Sequence, residues 1–172
     1  DSLLENSSIS SGLPAGPGAS SGSVVFSAEK AEALGKKGRK IILIREETSP
    51  EDIHGMHYSE GILTSRGGLT SHAALVARGW GKSCVVGCQD LSIDKRRRSA
   101  TIGTHKIKEG DNITLNGSTG EIFLGKLPLF QNSMESSQSL SLLLGWADDV
   151  RKLKIRTNAD TPEDCEKALG FG

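Results

Sequence analysis

Apolar and polar positions along the chain predict an alternation of strands and helices, followed by a change of character. The run Lys-Ile-Ile-Leu-Ile-Arg at 40–45 is continuously apolar between charged ends, as in a strand buried on both faces. Shorter apolar runs at 61–64 and 84–87 predict further strands, and a Pro/Gly loop over 12–22 leads into another at 22–27. Between them the spacing predicts a short helix at 28–34. A second helix opens at Ser49-Pro50-Glu51-Asp52, with Ser49 as cap, proline in the first turn and acids near the positive end, and a third covers 70–78. Residues 100–121 read as short strands separated by turns at Gly103, Glu109-Gly110-Asp111 and Asn116-Gly117. The fold class expected is mixed α/β (α+β), with one domain over 12–126.

The stretches on either side differ. Residues 1–11 are polar and read as an N-terminal linker, and 127–139, rich in Ser, Gln and Asn, as a second one. From 140 to 172 the helical spacing of Leu140, Leu143, Leu144, Ala147 and Val150 returns. A strand is expected at 154–158 and a helix opened by Thr161-Pro162-Glu163-Asp164. A flexible linker of this length has a root-mean-square span of roughly 20 Å and an extended reach of roughly 45 Å, enough for the domain before it to turn between neighbours.

Composition narrows the function classes. Lys plus Arg and Asp plus Glu are 21 each, so no overall basic field attracts nucleic acid or an anionic membrane. No apolar run approaches a membrane span, and no signal-peptide pattern opens the sequence. Three cysteines, an odd number, favour reduced thiols in the cytosol or an organelle matrix. A start at Asp1 and an end at Gly172 just after a helical pattern read as a piece of a larger enzyme.

The chemistry concentrates in Arg66-Gly-Gly-Leu-Thr-Ser-His-Ala-Ala-Leu-Val76. Gly67 and Gly68 let the backbone turn freely and leave room for a phosphate to approach. Thr70 or Ser71 can cap the following helix, whose first free N–H groups and dipole attract an anion. His72 then offers a nucleophilic imidazole nitrogen to a site tuned for negative charge. Ala73 and Ala74 place no bulk beside the ring, while Leu69, Ala73, Val76 and Ala77 recur at the spacing of a core-facing stripe. The plainer alternative is a surface histidine beside a helix cap.

The wider string Gly67-Gly-Leu-Thr-Ser-His-Ala-Ala-Leu-Val-Ala-Arg-Gly-Trp-Gly-Lys-Ser-Cys-Val-Val-Gly-Cys88 resembles the phosphohistidine signature of the pyruvate, phosphate dikinase family, among the PEP-utilising enzymes. So do Gly12-Leu-Pro-Ala-Gly-Pro-Gly18, Glu47-Thr-Ser-Pro-Glu-Asp52, Leu115-Asn-Gly-Ser-Thr-Gly-Glu121, Trp146-Ala-Asp-Asp-Val-Arg-Lys-Leu-Lys154 and Thr157-Asn-Ala-Asp-Thr-Pro-Glu-Asp164, in that family's order. The resemblance implies a swivelling β/β/α phosphohistidine domain, with 140–172 the first β/α unit of a truncated C-terminal (β/α)8 barrel. His72 would be the phosphohistidine intermediate. Gly67, Gly68, Thr70 and Ser71 would cradle the phosphate, and Arg78 would neutralise it.

The partners implied are an N-terminal nucleotide-binding domain and a C-terminal pyruvate-binding domain of the same polypeptide. Their net reaction is ATP, phosphate and pyruvate to AMP, pyrophosphate and phosphoenolpyruvate (PEP), with no turnover expected from this chain alone. The whole enzyme would be a homodimer in the cytoplasm or an organelle matrix, chloroplast or glycosome included. It would need Mg²⁺, bound outside this chain. Phosphoenolpyruvate synthase and enzyme I of the sugar phosphotransferase system resemble the chain over 67–78 but carry Arg where it has Leu69. A non-catalytic swivel or interaction module is the alternative from another class.

Other residues carry weaker signals. Arg78 is equally well an ordinary surface arginine, and Thr70, a position of regulatory phosphorylation in plant members of the family, is first of all a candidate cap. His54 and His57 at i, i+3 lack acidic or cysteine partners and suit a solvated helix face better than a metal. Cys84 and Cys88 lie in an apolar strand, where packing outranks zinc or a disulfide. His105 sits in a turn-flanked strand without a signal. Lys95-Arg96-Arg97-Arg98, without interleaved aromatics, reads as an exposed loop or a docking surface for a neighbouring domain.

Overall fold

A computed structural model of the chain describes residues 8–129, 138–153 and 162–170, which fall into two units, 1–129 and 130–172. In the first, β1 (Ser10–Ser11), β2 (Leu13–Gly16) and β3 (Ala19–Val25) lead to α1 (Ala28–Gly35) and β4 (Ile41–Arg45). A 3-10 turn (Pro50–Asp52) runs into α2 (Ile53–His57), followed by β5 (Gly61–Thr64), α3 (His72–Gly79) and β6 (Ser83–Val86). Five strands complete or flank the sheets: β7 (Leu91–Asp94), β8 (Ser99–Ile102), β9 (His105–Lys108), β10 (Asn112–Asn116) and β11 (Glu121–Leu124) follow in order after β6.

The centre is three consecutive β-α-β crossovers. β3, β4, β5 and β6 lie parallel and side by side in chain order, so each returning strand joins the one before it. Antiparallel strands extend this sheet at both sides, β2 beyond β6 and the series β10, β11, β1 beyond β3, to eight strands in all. β7, β8 and β9 make a separate antiparallel sheet.

The continuous apolar run of β4 follows from its place between two cores. Ile41 and Leu43 join Ala31, Met56, Ala73, Ala74 and Ala77 on the helical side. Ile42 and Ile44 join Ile102, Ile107 and Leu91 of the small sheet on the other. Small sheet, large sheet and helices therefore stack as β/β/α layers, and each fully buried Ile or Leu of β4 contributes about 1.5–3 kcal/mol by leaving water.

Several predicted boundaries move. Ser10–Ser11 of the stretch read as linker is strand β1, paired with β11, and Ile9 N–H also donates to the Ile122 carbonyl. The loop read over 12–22 contains β2 and the start of β3. Pro14 is accommodated because β2 is an edge strand with a bulge between Pro14 and Gly16. β7, Leu-Ser-Ile-Asp, was not among the predicted strands: with only Leu91 buried it writes no apolar run.

In the second unit α4 (Gln138–Val150) carries the predicted leucine spacing and starts inside the stretch read as linker, and α5 (Pro162–Gly170) follows the predicted Thr-Pro start. The strand expected at 154–158 lies outside the described residues, as do residues 1–7 and 130–137 of the two expected linkers. Among the described residues no helix is long and apolar enough to cross a membrane.

Candidate functional site

The site forms where β4 and β5 end, at the C-terminal edge of the parallel strands, a usual place for ligands in α/β sheets. Beyond β5 the chain is held in a tight exit. Thr64 Oγ1 donates to the Arg66 carbonyl at 2.7 Å, and the N–H groups of Ser65 and Arg66 donate to the carbonyls of Arg45 and Glu46. Gly67 then adopts φ +102°, and a side chain there would press on Ser71 at 3.0 Å. Gly68 has no positive φ and open space around it, so the expectation that both glycines serve an unusual backbone holds for Gly67 alone.

The helix begins at His72, two residues later than the pattern suggested. Of the two candidate caps the structure selects Ser71, whose Oγ accepts from the Ala74 N–H at 3.4 Å; Thr70 is exposed. Among the described residues the N–H groups of His72 and Ala73 have no protein acceptor. Together with the dipole of α3 they present an unneutralised positive pole beside the imidazole.

The ring is oriented from the neighbouring loop. Thr48, buried at 6 % exposure, places Oγ1 3.2 Å from His72 Nδ1. That loop is itself braced: Asp52 is buried, pairs with Arg45 at 3.0 Å and accepts from the Ser49 N–H at 3.0 Å. Ser49 caps the turn as expected, but the turn is 3-10 before it becomes α2. Thr48 was missed as a site residue. Its motif, Glu47 to Asp52, was legible, but nothing in it tells that its threonine meets a histidine 24 positions away.

Other expectations divide. Ala73 and Ala74 are buried against the sheet, so their small size lets α3 sit close to β5 and β6 rather than clearing space beside His72. Leu69, expected on the core stripe, is 45 % exposed. Arg78 stands six positions along α3, about a third of a turn round the helix from the His72 face, and its Nη2 donates to the Leu69 carbonyl at 2.6 Å. It clasps the loop carrying Thr70. His54 lies 3.9 Å from a Glu32 oxygen, and His57 meets Tyr58 and Trp80 edge-on. Cys84 and Cys88 are both buried, in the cores on opposite sides of the sheet, and burial pushes the Cys84 thiol up to about 12. His105 and the turn Lys95 to Arg98 are exposed.

Residues 37–120 match the family described as PEP-utilising enzyme, mobile domain. Over 171 residues, 99 % of the chain, it is 52 % identical to a pyruvate, phosphate dikinase 1, chloroplastic, of Zea mays, covering 18 % of that protein. Over 164 residues, 95 % of the chain, it is 55 % identical to a chloroplastic pyruvate, phosphate dikinase of Flaveria pringlei, covering 17 % of it. A solution structure of an enzyme I protein shares 19 % identity across 63 % of this chain and 38 % of its own, at a TM-score of 0.36. The chain spans under a fifth of the length of the curated relatives it matches.

Proposed function

We propose that the chain belongs to the PEP-utilising enzymes, whose mobile-domain family matches residues 37–120, and that it carries a phosphoryl group on His72 between two catalytic domains of a longer polypeptide, as its likeness to the pyruvate, phosphate dikinases suggests. The observation that carries the reading is the contact of Thr48 Oγ1 with His72 Nδ1 at the open N-terminus of α3. With Nδ1–H donating to Thr48, the lone pair of Nε2 is free. Nε2 attacks the phosphorus, the N–P bond forms as the P–O bond to the leaving group breaks, and the leaving oxygen keeps the electron pair. The free N–H groups of His72 and Ala73 stabilise the negative charge that arrives. In the second transfer an enolate oxygen of pyruvate attacks phosphorus and the pair of the N–P bond returns to Nε2.

Gly68 makes room for the phosphoryl oxygens, Ser71 and Gly67 hold the approach, and Thr70 stands exposed beside it, open to regulatory phosphorylation. The net reaction of the whole protein is ATP, phosphate and pyruvate to AMP, pyrophosphate and phosphoenolpyruvate. The nucleotide-binding domain lies before this chain and the pyruvate-binding barrel begins with the unit at 140–172. The whole protein is a homodimer in the cytoplasm or an organelle matrix, and the Flaveria pringlei relative and one of those from Zea mays bear the name chloroplastic. The Mg²⁺ that the whole enzyme would need is expected in the nucleotide- and pyruvate-binding domains, and no step here runs through it. Activity of the full-length protein, assayed in the direction of pyruvate formation, tests the reading. It should require pyrophosphate as well as AMP and phosphoenolpyruvate; turnover independent of pyrophosphate would indicate a synthase-type carrier instead.

A further inference from the structure

We propose that the β7–β8 turn and the outer face of β9 form an electrostatic docking surface for an acidic surface of the catalytic domain that exchanges a phosphoryl group with His72, an inference resting on the carrier reading above. Residues 94–109 hold six cations, Lys95, Arg96, Arg97, Arg98, Lys106 and Lys108, against the two carboxylates Asp94 and Glu109. That is a net +4 within a chain of net zero. The register gathers these charges on one side. Lys106 and Lys108 pair with Thr101 and Ser99, while the alternate residues Ala100, Ile102 and Ile107 point into the inter-sheet core. Arg97 and Arg98 close the other side of a shallow hollow of about 350 Å³ with Lys106 and Lys108.

Three of the six cations, Lys95, Arg97 and Arg98, have a carboxylate partner. Glu109 is shared by Lys30 and Arg98, and Asp94 lies 3.7 Å from Arg97. Arg96, Lys106 and Lys108 have no ion pair among the described residues. The surface also adjoins the site. Lys95 Nζ meets Glu46 at 3.2 Å, and Glu46 begins the loop whose Thr48 holds His72. Lys95 and Arg66 line one cleft there, so a macromolecule seated over His72 lies alongside the basic turn.

The form of the surface selects the occupant. A small phosphate would need buried converging donors, whereas these side chains are exposed and no buried polar side-chain atom among the described residues lacks a partner. Single-stranded nucleic acid would need stacking platforms, and residues 94–109 contain no Phe, Tyr or Trp. A diffuse positive field on a flat sheet face complements an acidic protein surface, and it acts on docking rate and register more than on tightness. Most of the polypeptide length seen in the relatives lies outside this chain, and a carrier must meet part of it.

The test uses full-length protein with Arg96→Glu, Arg97→Glu and Lys106→Glu combined, checked for unchanged melting. Single-turnover phosphorylation of His72 is followed from phosphoenolpyruvate and, separately, from ATP with phosphate, at low salt and at about 0.3 M, where charges are screened beyond a few ångströms. In one half-reaction the wild type should slow about tenfold as salt rises. The variant should be about tenfold slow already at low salt and indifferent to more. Arg96→Lys with Arg97→Lys should keep the wild-type rate, since a diffuse field needs charge and not guanidinium geometry.

A triple variant as fast as the wild type in both half-reactions would overturn the docking surface alone. Retention of the wild type on a short single-stranded oligonucleotide, lost in the variant with transfer unaffected, would overturn it in favour of nucleic acid. A wild type labelled from neither donor would overturn the carrier reading, and the docking surface with it.

Discussion

The two ends of α3 are built to opposite purposes from the same eight residues. At its C-terminal end the backbone closes on itself: the N–H groups of Trp80, Gly81 and Lys82 return to carbonyls of the last turn, with Gly81 at φ +63°. Lys82, half-buried, reaches across to the carbonyls of His57 and Ser59 at the end of α2, and burial lowers its pKa. At the N-terminal end a single side chain, Ser71, caps one N–H, two others stay free, and the imidazole is aimed by Thr48. One end satisfies its polar groups internally and the other keeps them for a visitor. Of the histidines near them, His57 lies at a closed end and His72 at an open one, which is why only His72 carries the phosphoryl proposal.

The largest effect that would sharpen this contrast is on transfer at the open end. Thr48→Val removes the hydrogen-bond partner of Nδ1 while keeping shape, so the ring loses its tautomer and aim. Single-turnover phosphorylation should fall about 10- to 100-fold with the fold intact, and Thr48→Ser should restore most of it. A rate within twofold of wild type would show that Thr48 is only a packing residue. At the closed end the reverse is expected. Lys82→Met should cost about 1.5–3 kcal/mol in chemical denaturation, from losing charge-assisted hydrogen bonds to two carbonyls, and leave the transfer rate within about twofold.

The glycine pair divides the same way. Gly67→Ala should lower stability by about 1–3 kcal/mol, because alanine must adopt a positive φ against Ser71. Gly68→Ala should stay within about 0.5 kcal/mol in denaturation yet slow phosphoryl acceptance, its added methyl occupying space left open for the group. Equal stability losses in both would break the distinction. The smallest effect expected is chemical: at about pH 8, Cys165 of the folded protein should react with a thiol reagent well before Cys84, whose thiol remains protonated far above that pH.

How much of this was legible in the sequence depends on how local its cause is. β4 and β5 could be read nearly to the residue because a strand buried on both faces writes an unbroken apolar run. The edge strands β1 and β2 could not, since an edge need satisfy only one neighbour and can be built from serine, proline and glycine. His72 stood out because cap, glycines and helix start are adjacent in the chain. Thr48 did not, because it meets His72 only through the parallel pairing of β4 with β5, which brings their C-terminal loops together. Arg78 lies six residues along the helix from His72, far from a whole number of turns, and meets the Leu69 carbonyl, a contact that spacing alone does not foretell.

The most direct test of the carrier claim is to incubate full-length protein with phosphoenolpyruvate and Mg²⁺, quench in alkali, and map the phosphoryl group by peptide mass. The account predicts one acid-labile, alkali-stable phosphoryl group on the peptide containing His72, absent from a His72→Ala variant of unchanged melting temperature. A stable phosphoester on Thr70 or Ser71, or a label that survives in His72→Ala, would contradict it.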